Sequence, residues 1–494
     1  MNKQTLIHSL LHGLALSATL ISPAMAIYVY NPVYFTFNIF EFSTACMLLG
    51  GLLAGALTAL LYGLRNWKHI GALQLGVLAV ILLAWLQGTY LSSGLPNSPV
   101  DVDFMDNLTY LGAVAFLLFA LVIAVMIIFR RFFLKHAHLI LSLVFICNAA
   151  ATCVMAYRQI AVFKRWVCGR YTFEEKNKFT FGSQENILLM VVDCLGEELF
   201  KEEIVRYPEL KALFKDFVVL DKMTSTIPRT MGALPAMMTG VEFKHGMEGL
   251  GTPLHTDYLC ESFGEKDTLL NRVKRRGYRC EGYPFMPNLV LPSPLCFDNI
   301  IRRLKHTSSN RVFLDVWLRR MTPYFLQRLL HFKWDIRTMF VTETDTGRFL
   351  NHKMKYDQAI NNRLLREFSV GDHKNVFKYL HLQGSHVDLA TDEHLEECHD
   401  TDKYRQLRGS LIIVENLLRL LKEHNLYETA TIVITGDHSE YYTPEVVTLV
   451  KPPYQANPEM QWDSTPHTLM EIPALIEDLL TENEPQQPHV YAAQ

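Results

Sequence analysis

Asp437 and His438 stand together at the end of the apolar run Thr431-Ile-Val-Ile-Thr435-Gly436. One offers a carboxylate oxygen and the other an imidazole nitrogen, and both are good donors for Zn²⁺. An Asp-His pair by itself says little. A second run, Asn186-Ile-Leu-Leu-Met-Val-Val192, ends on Asp193, a third donor. Short continuous Val/Ile/Leu runs read as parallel strands buried on both faces. In open α/β sheets, ligands collect beyond the carboxyl ends of such strands. The fourth donor is Thr230, in the stretch Thr224–Gly240. It is predicted to cap a helix running to about Thr239, where N–H groups and the dipole favour anions. Beside a divalent cation its hydroxyl would be an activated nucleophile. Taken alone, an ordinary N-cap is the better reading of Thr230.

Histidines supply what acid–base chemistry needs. His381 and His386 fall at the end of the run Val376–Leu382 and in the loop after it. His467, in Thr465-Pro-His467, is a lesser candidate. Core histidines are common, so a structural role for His381 weighs about as much as a catalytic one.

The elements that must carry these residues alternate. Phe217–Leu220 and Tyr278–Tyr283 read as strands, and Asp267–Arg276 as a helix. Tyr404–His424 reads as a long amphipathic helix with Leu407, Leu411, Val414, Leu418 and Leu421 on one face. Helix and strand in turn imply a mostly parallel sheet covered on both faces. Phe313–Leu350 breaks the pattern with Arg, Leu, Phe and Trp. It reads as a lid near a membrane or, preferably, as a helical hairpin packed on the sheet.

The first third differs in kind. Of 494 residues 49% are hydrophobic, and these crowd into five segments: Leu6–Tyr30, Phe40–Tyr62, Ile70–Leu91, Tyr110–Phe129 and His138–Tyr157. Each approaches the ~20 residues that cross a hydrocarbon core as helix. Gly50, Gly51 and Gly55 suit close helix packing. The first segment ends Pro23-Ala-Met-Ala26, which mimics a signal-peptidase site. Its length and its His8 and His12 favour a retained helix. Arg65 and Lys68 lie in one loop, and Arg130, Arg131 and Lys135 in another; the other two loops carry no Lys or Arg. The positive-inside rule puts the basic loops in the cytoplasm and the C-terminal part outside. That holds whether or not the first segment is cleaved.

The expected organisation is a five-helix transmembrane domain over 1–160, a juxtamembrane linker over 161–185, an extracytoplasmic α/β domain over 186–480 and a loose tail over 481–494. A net charge of −3 leaves no basic surplus for a nucleic-acid partner. The nine cysteines form no CxxC pair, and Cys168, Cys260, Cys280, Cys296 and Cys398 lie outside the apolar spans.

In this order (strand–Asp193, Thr230, the His386 loop, Gly436-Asp437-His438) the residues resemble the alkaline phosphatase/sulfatase superfamily. Thr230 stands nine before Thr239-Gly240, as the sulfatase nucleophile does, and five before Pro235, as in bacterial phosphoethanolamine transferases. Those transferases also carry a His-x-x-Gly-Ser-His loop, matched by His381-Leu-Gln-Gly-Ser-His386, and an Asp-His-x-Glu, matched by Asp437-His438-Ser439-Glu440. Five helices before an outward catalytic domain complete the likeness. Departures are informative. Such transferases usually have Glu where Asp193 stands. Sulfatases have a second Asp at Cys194, a Cys or Ser at Thr230 and an Arg at Leu234. The two-zinc hydrolases have Asp at Leu382.

The resemblance implies a phospholipid head-group transferase of a bacterial plasma (inner) membrane, donating phosphoethanolamine or phosphoglycerol to an envelope glycan or lipid. Asp193, Thr230, Asp437 and His438 would hold one Zn²⁺, with a second left open. Thr230 would be the nucleophile; His386, and less surely His381, would bind phosphate oxygens or protonate the leaving group. A hydrolase of the same fold, or a non-catalytic envelope scaffold, are the competing expectations.

Overall fold

The structure is a computed structural model. It describes residues 3–30, 39–91, 108–161, 171–246, 250, 253–264, 267–285, 290, 295–302, 313–314, 316–318, 320–327, 356–386, 389–398, 400–439 and 443–482. The chain divides into two compact units. One comprises Met1–Arg170 with Gly251–Pro253 and Arg303–Met339; the other comprises Tyr171–Leu250, Leu254–Arg302 and Phe340–Gln494.

The first unit is helical. Its helices are α1 (Lys3–Tyr30), α2 (Ile39–Gly63), α3 (Ile70–Thr89), α4 (Leu108–Ile128) and α5 (Arg130–Ala161). Four of them are long and apolar enough to cross a membrane, and α4 adds a shorter apolar stretch, Gly112–Ile128. α1 is the most enclosed of these spans. A Cβ on Gly13 would lie 2.4 Å from the Ala54 carbonyl oxygen, so α1 and α2 touch backbone to backbone there. Of the glycines expected to pack, Gly50 meets Ile21 and Ser17, while Gly51 and Gly55 face open space.

Described residues of the 313–327 stretch pack on this unit. Trp317 Nε1 donates to Leu20 O at 3.0 Å, and Arg320 Nε to Gly88 O at 3.3 Å. Phe325 meets Phe116 and Phe119 edge-on. The preferred hairpin-on-sheet reading therefore fails for this stretch. Carbonyls in the last turn of a helix, such as Gly88 in α3, lack intrahelical partners and draw an Arg donor. The remainder of the expected lid, 328–350, lies outside the described residues.

The second unit is built on an eight-stranded sheet. Its strands are β1 (Glu185–Val192), β2 (Val218–Thr224), β3 (Arg279–Tyr283), β4 (Asn375–Leu382), β5 (Thr431–Thr435), β6 (Glu445–Lys451), β7 (Gln461–Asp463) and β8 (His467–Thr468). The order is β7-β2-β6-β5-β1-β4-β3, with β8 also on β2. β5, β1, β4 and β3 run parallel; β6 runs antiparallel to both β5 and β2. Every residue of β1 after Glu185 is buried, as a strand covered on both faces requires. Register sets the site: Val191 lies opposite His381 on one side and Thr435 on the other. Three chain tips thus emerge together.

Helices α6 (Glu197–Arg206), α7 (Thr230–Thr239), α8 (Leu269–Arg275), α9 (Tyr356–Glu367), α10 (Lys403–Glu423) and α11 (Ile472–Glu482) belong to this unit. The five apolar residues read on one face of α10 are all buried, and Asp402 caps the helix by accepting Arg405 N–H at 2.9 Å. Within 171–185, read as linker, Tyr171–Phe173 pairs with Ile300–Arg302 and Thr180–Phe181 with Ser369–Val370. Residues 162–170 and 483–494, with Cys168, lie outside the described residues. Cys260, Cys280, Cys296 and Cys398 are not joined in disulfides among the described residues.

Glu203 on α6 is fully buried, and neither carboxylate oxygen has a hydrogen-bond partner. Burial pushes its pKa up to about 7, against the pull of Arg206 and Arg408. The native chain therefore keeps a proton that the unfolded chain loses near the ordinary Glu value. This contribution to stability is complete below about pH 4.3 and is lost as pH rises through about 7. Glu203→Gln should raise the melting temperature of the full chain in detergent at pH 8, and the gain should shrink toward pH 5. A gain independent of pH would remove Glu203 as its source.

Candidate metal and nucleophile site

Asp193 follows β1 and Asp437 follows β5, both fully buried. Cys194 turns the chain in the left-handed region at φ 61°. Its N–H donates to Asp437 Oδ1 at 3.2 Å, and the His438 N–H donates to the same oxygen at 2.9 Å. Asp437 Oδ2 has no donor, nor has either oxygen of Asp193. The tips come this close because Gly436 carries no side chain: a Cβ there would lie 2.3 Å from the Leu195 carbonyl oxygen.

The His438 ring fills the space between them. Its Nδ1 lies 2.9 Å from Ser439 O, which can only accept, so Nδ1 carries the hydrogen. The lone pair of Nε2 then faces Thr230 Oγ1 at 3.3 Å, Asp193 Oδ1 at 3.5 Å and Asp437 Oδ2 at 3.6 Å. The four residues read as donors therefore converge. Their chemistry fits a cation. Three buried carboxylate oxygens without donors are costly in an apolar interior unless positive charge meets them. A histidine whose second nitrogen is tied to a carbonyl presents a fixed lone pair.

Thr230 departs from expectation in one respect. The N-cap of α7 is Arg229, in extended backbone, with no side-chain cap bond; Thr230 is the first helical residue. Its hydroxyl is therefore not engaged in capping and turns to His438. Pro235 sits inside the same helix and cannot donate to Met231 O. His255 Nε2 takes that carbonyl instead, at 2.9 Å. Burial pushes the His255 pKa down to about 4.

The remaining histidines differ. His381 is buried on β4 with its Nε2 3.7 Å from Asp193 Oδ2, too long for a hydrogen bond, and both ring nitrogens lack such partners. Asp193, His381 and Asp437 form one cluster with metal-ligand spacing, and Asp193, Cys194 and His438 form another. The His386 ring centroid lies 6.3 Å from that of His438. His467 turns to Glu471, with Nδ1 2.7 Å from Oε2.

Charge balance follows from this packing. Burial opposes ionisation of Asp193, but His386, His381 and His438 outweigh it and hold the carboxyl below its usual range. Burial and the Asp193 charge push Asp437 up. Burial works to lower His438, yet Asp437 and Asp193 raise it.

Two features escaped the sequence. Cys194 Sγ lies 3.6 Å from His438 Nδ1. Asp357 and Gln406 hold the His386 loop from neighbouring helices. The one available signal for Gln406 was a polar residue, with Ser410 one turn on, beside the apolar stripe of α10.

Solved structures similar to this chain include three with explicit descriptions. The integral membrane protein lipooligosaccharide phosphoethanolamine transferase A (EptA) from Neisseria meningitidis is 12% identical, with 94% of this chain and 95% of that one covered, at a TM-score of 0.36. The C-terminal periplasmic domain of EcEptC from Escherichia coli, in complex with Zn, is 14% identical over 63% and 84%, at 0.32. A protein in the alkaline phosphatase superfamily from Vibrio parahaemolyticus is 12% identical over 65% and 75%, at 0.37. At these scores the likeness carries no further weight. No curated protein matches the chain. The profile of the family described as Sulfatase matches residues 185–478, more than half of the chain, and the chain belongs to that family.

Proposed function

We propose that the chain is a zinc-dependent transferase of the plasma membrane. It moves a phosphoethanolamine or phosphoglycerol head group from a phospholipid to an envelope glycan or lipid, through a phospho-substituted Thr230. The observation that carries this reading is the Thr230 hydroxyl, not engaged in capping, 3.3 Å from His438 Nε2 beside two buried carboxylates. Thr at this position cannot give the aldehyde hydrate of formylglycine sulfatases, so the family chemistry that remains is direct attack by oxygen. The apolar N-terminal helices would keep a lipid donor within reach, and the basic loops would leave the catalytic unit outside.

Asp193, Thr230, Asp437 and His438 would hold the ion. When bound it supplies positive charge that favours the ionised Thr230 and the crowded phosphoryl oxygens. Thr230 Oγ1 attacks phosphorus in line as the phosphorus–oxygen bond to the lipid glycerol breaks. The leaving alkoxide takes a proton from the His386 imidazolium. N–H groups of the first turn of α7 face the developing charge. An acceptor hydroxyl then gives its proton to His386 and attacks the same phosphorus, and Thr230 leaves ionised. His381, beside Asp193, has a supporting electrostatic role. Water in place of the acceptor would make the chain a hydrolase.

Two outcomes test this. Chelator-stripped protein should gain about 2.7 kcal/mol of unfolding free energy at a zinc concentration about a hundred times the dissociation constant. Asp437→Asn and Asp193→Asn should erase that gain, read by melting against zinc and by metal content. With head-group-labelled phospholipid and envelope acceptors, the wild type should label the acceptor, and Thr230→Ala should cut labelling by at least about 10³-fold. Mass spectrometry of Thr230 should show the donated group. Undiminished labelling by Thr230→Ala would overturn the mechanism, and release of the head group to water alone would favour the hydrolase.

A further inference from the structure

His386 lies on a turn between β4 and α10, not on a strand or helix. Two buried side chains from flanking helices grip that turn. Asp357 of α9 is 4% exposed and Gln406 of α10 is 3% exposed. Asp357 Oδ1 accepts the Gln383 N–H at 2.8 Å, and Oδ2 accepts the Gly384 N–H at 3.2 Å and the Ser410 hydroxyl. Gln406 Nε2 donates to Gly384 O at 2.8 Å and His386 O at 3.3 Å. Its Oε1 accepts the Ala390 N–H at 2.7 Å and the Thr391 N–H at 3.4 Å. The opposite side of the turn is fastened to the metal site. Ser385 N donates to Asp193 O at 3.0 Å, and Ser385 Oγ to Cys194 O at 3.0 Å. Gly384 sits at φ 59°, where a Cβ would lie 2.1 Å from Asp193 O. The turn at 383–386 is thus held on both faces.

We infer that Asp357 and Gln406 are positioning residues: together they clamp the backbone at 383–386 and at 390–391 so that His386 meets the leaving oxygen. The inference rests on the proton-transfer role proposed for His386. A buried polar pair that served only folding could bond anywhere; six of these seven bonds converge on the backbone that carries one histidine. Isosteric changes break the clamp selectively. Asn at 357 offers one acceptor oxygen and turns an NH₂ toward a loop N–H. Glu at 406 loses both donors and sets a lone pair against each carbonyl.

The test compares two donors on the full chain in detergent. A phospholipid expels an alkoxide that needs a proton; a nitrophenyl diester of the same head group expels a stable anion that does not. On the lipid, Asp357→Asn and Gln406→Glu should each lower kcat by about 10–100-fold, with KM within about twofold. On the nitrophenyl ester the rate of the nitrophenolate burst, which reports the first half-reaction alone, should fall by under about threefold, and zinc-dependent melting should persist. His386→Ala should show the same split, and adding Gln406→Glu to it should cost nothing more. Equal losses on both donors, or additive losses with His386→Ala, would overturn the inference. If the wild type turns over neither donor, the transferase reading falls first. The clamp is then read by hydrogen exchange: the Gln383 and Gly384 amides should be protected in the wild type and exposed in Asp357→Asn. Unchanged protection would refute it.

Discussion

Two carboxylates that face one another inside the protein, with three of their four oxygens undonated, set the terms for the whole catalytic unit. Left alone, such a pair repels and is poorly solvated, and one member takes up a proton. The fold nevertheless forces them together. β1 and β5 are hydrogen-bonded neighbours running the same way, and their register ends them side by side. The cost is localised. Asp437 Oδ1 is satisfied by two backbone N–H groups, so a single oxygen of that side chain is left for an ion. The strained Cys194 backbone supplies one of those donors, which gives its positive φ a physical reason.

The proposed nucleophile, Thr230, is set differently. A threonine at a helix start normally caps it, and a capped hydroxyl is tied to an N–H. Here Arg229 occupies the cap position in extended backbone and leaves the capping bond unmade. Gly232 and Ala233 N–H donate to Arg229 O, and the Thr230 hydroxyl, spared from capping, meets His438 Nε2 instead. The helix can afford Pro235 because His255 supplies the donor that the proline lacks. In the proposed mechanism the attacking group is therefore a side chain one residue inside the helix.

Much of this was legible from residues alone, for a definite reason. Parallel strands buried on both faces are continuous apolar runs, so Asn186–Val192 and Thr431–Thr435 announce themselves and their tips. Donors at those tips then need only the α/β rule to be brought together. The antiparallel direction of β6 was not legible, because an apolar run carries no sign of which way it points. Nor was the partner of 313–327: aromatic and basic residues show that a stretch seeks an apolar surface, not which one. Asp357 and Gln406 act through backbone atoms of a distant loop, and a side chain that reads backbone leaves no motif at the other end.

The donor clusters also bear on how many ions the site would hold. The second cluster, Asp193, His381 and Asp437, shares both carboxylates with the donors around His438 Nε2. The two sets share residues but not every oxygen: His438 Nε2 faces Asp193 Oδ1, and His381 Nε2 faces Asp193 Oδ2. The position at which two-zinc relatives carry an additional Asp is Leu382, which is buried in the apolar core beneath the sheet. A carboxylate there would point into hydrocarbon. In the proposed mechanism His386, whose ring lies 6.3 Å from that of His438, would handle protons, and the clamp on its loop would serve that role. In the proposed function, one cation would lie between the two carboxylates and a separately anchored histidine would face the leaving group.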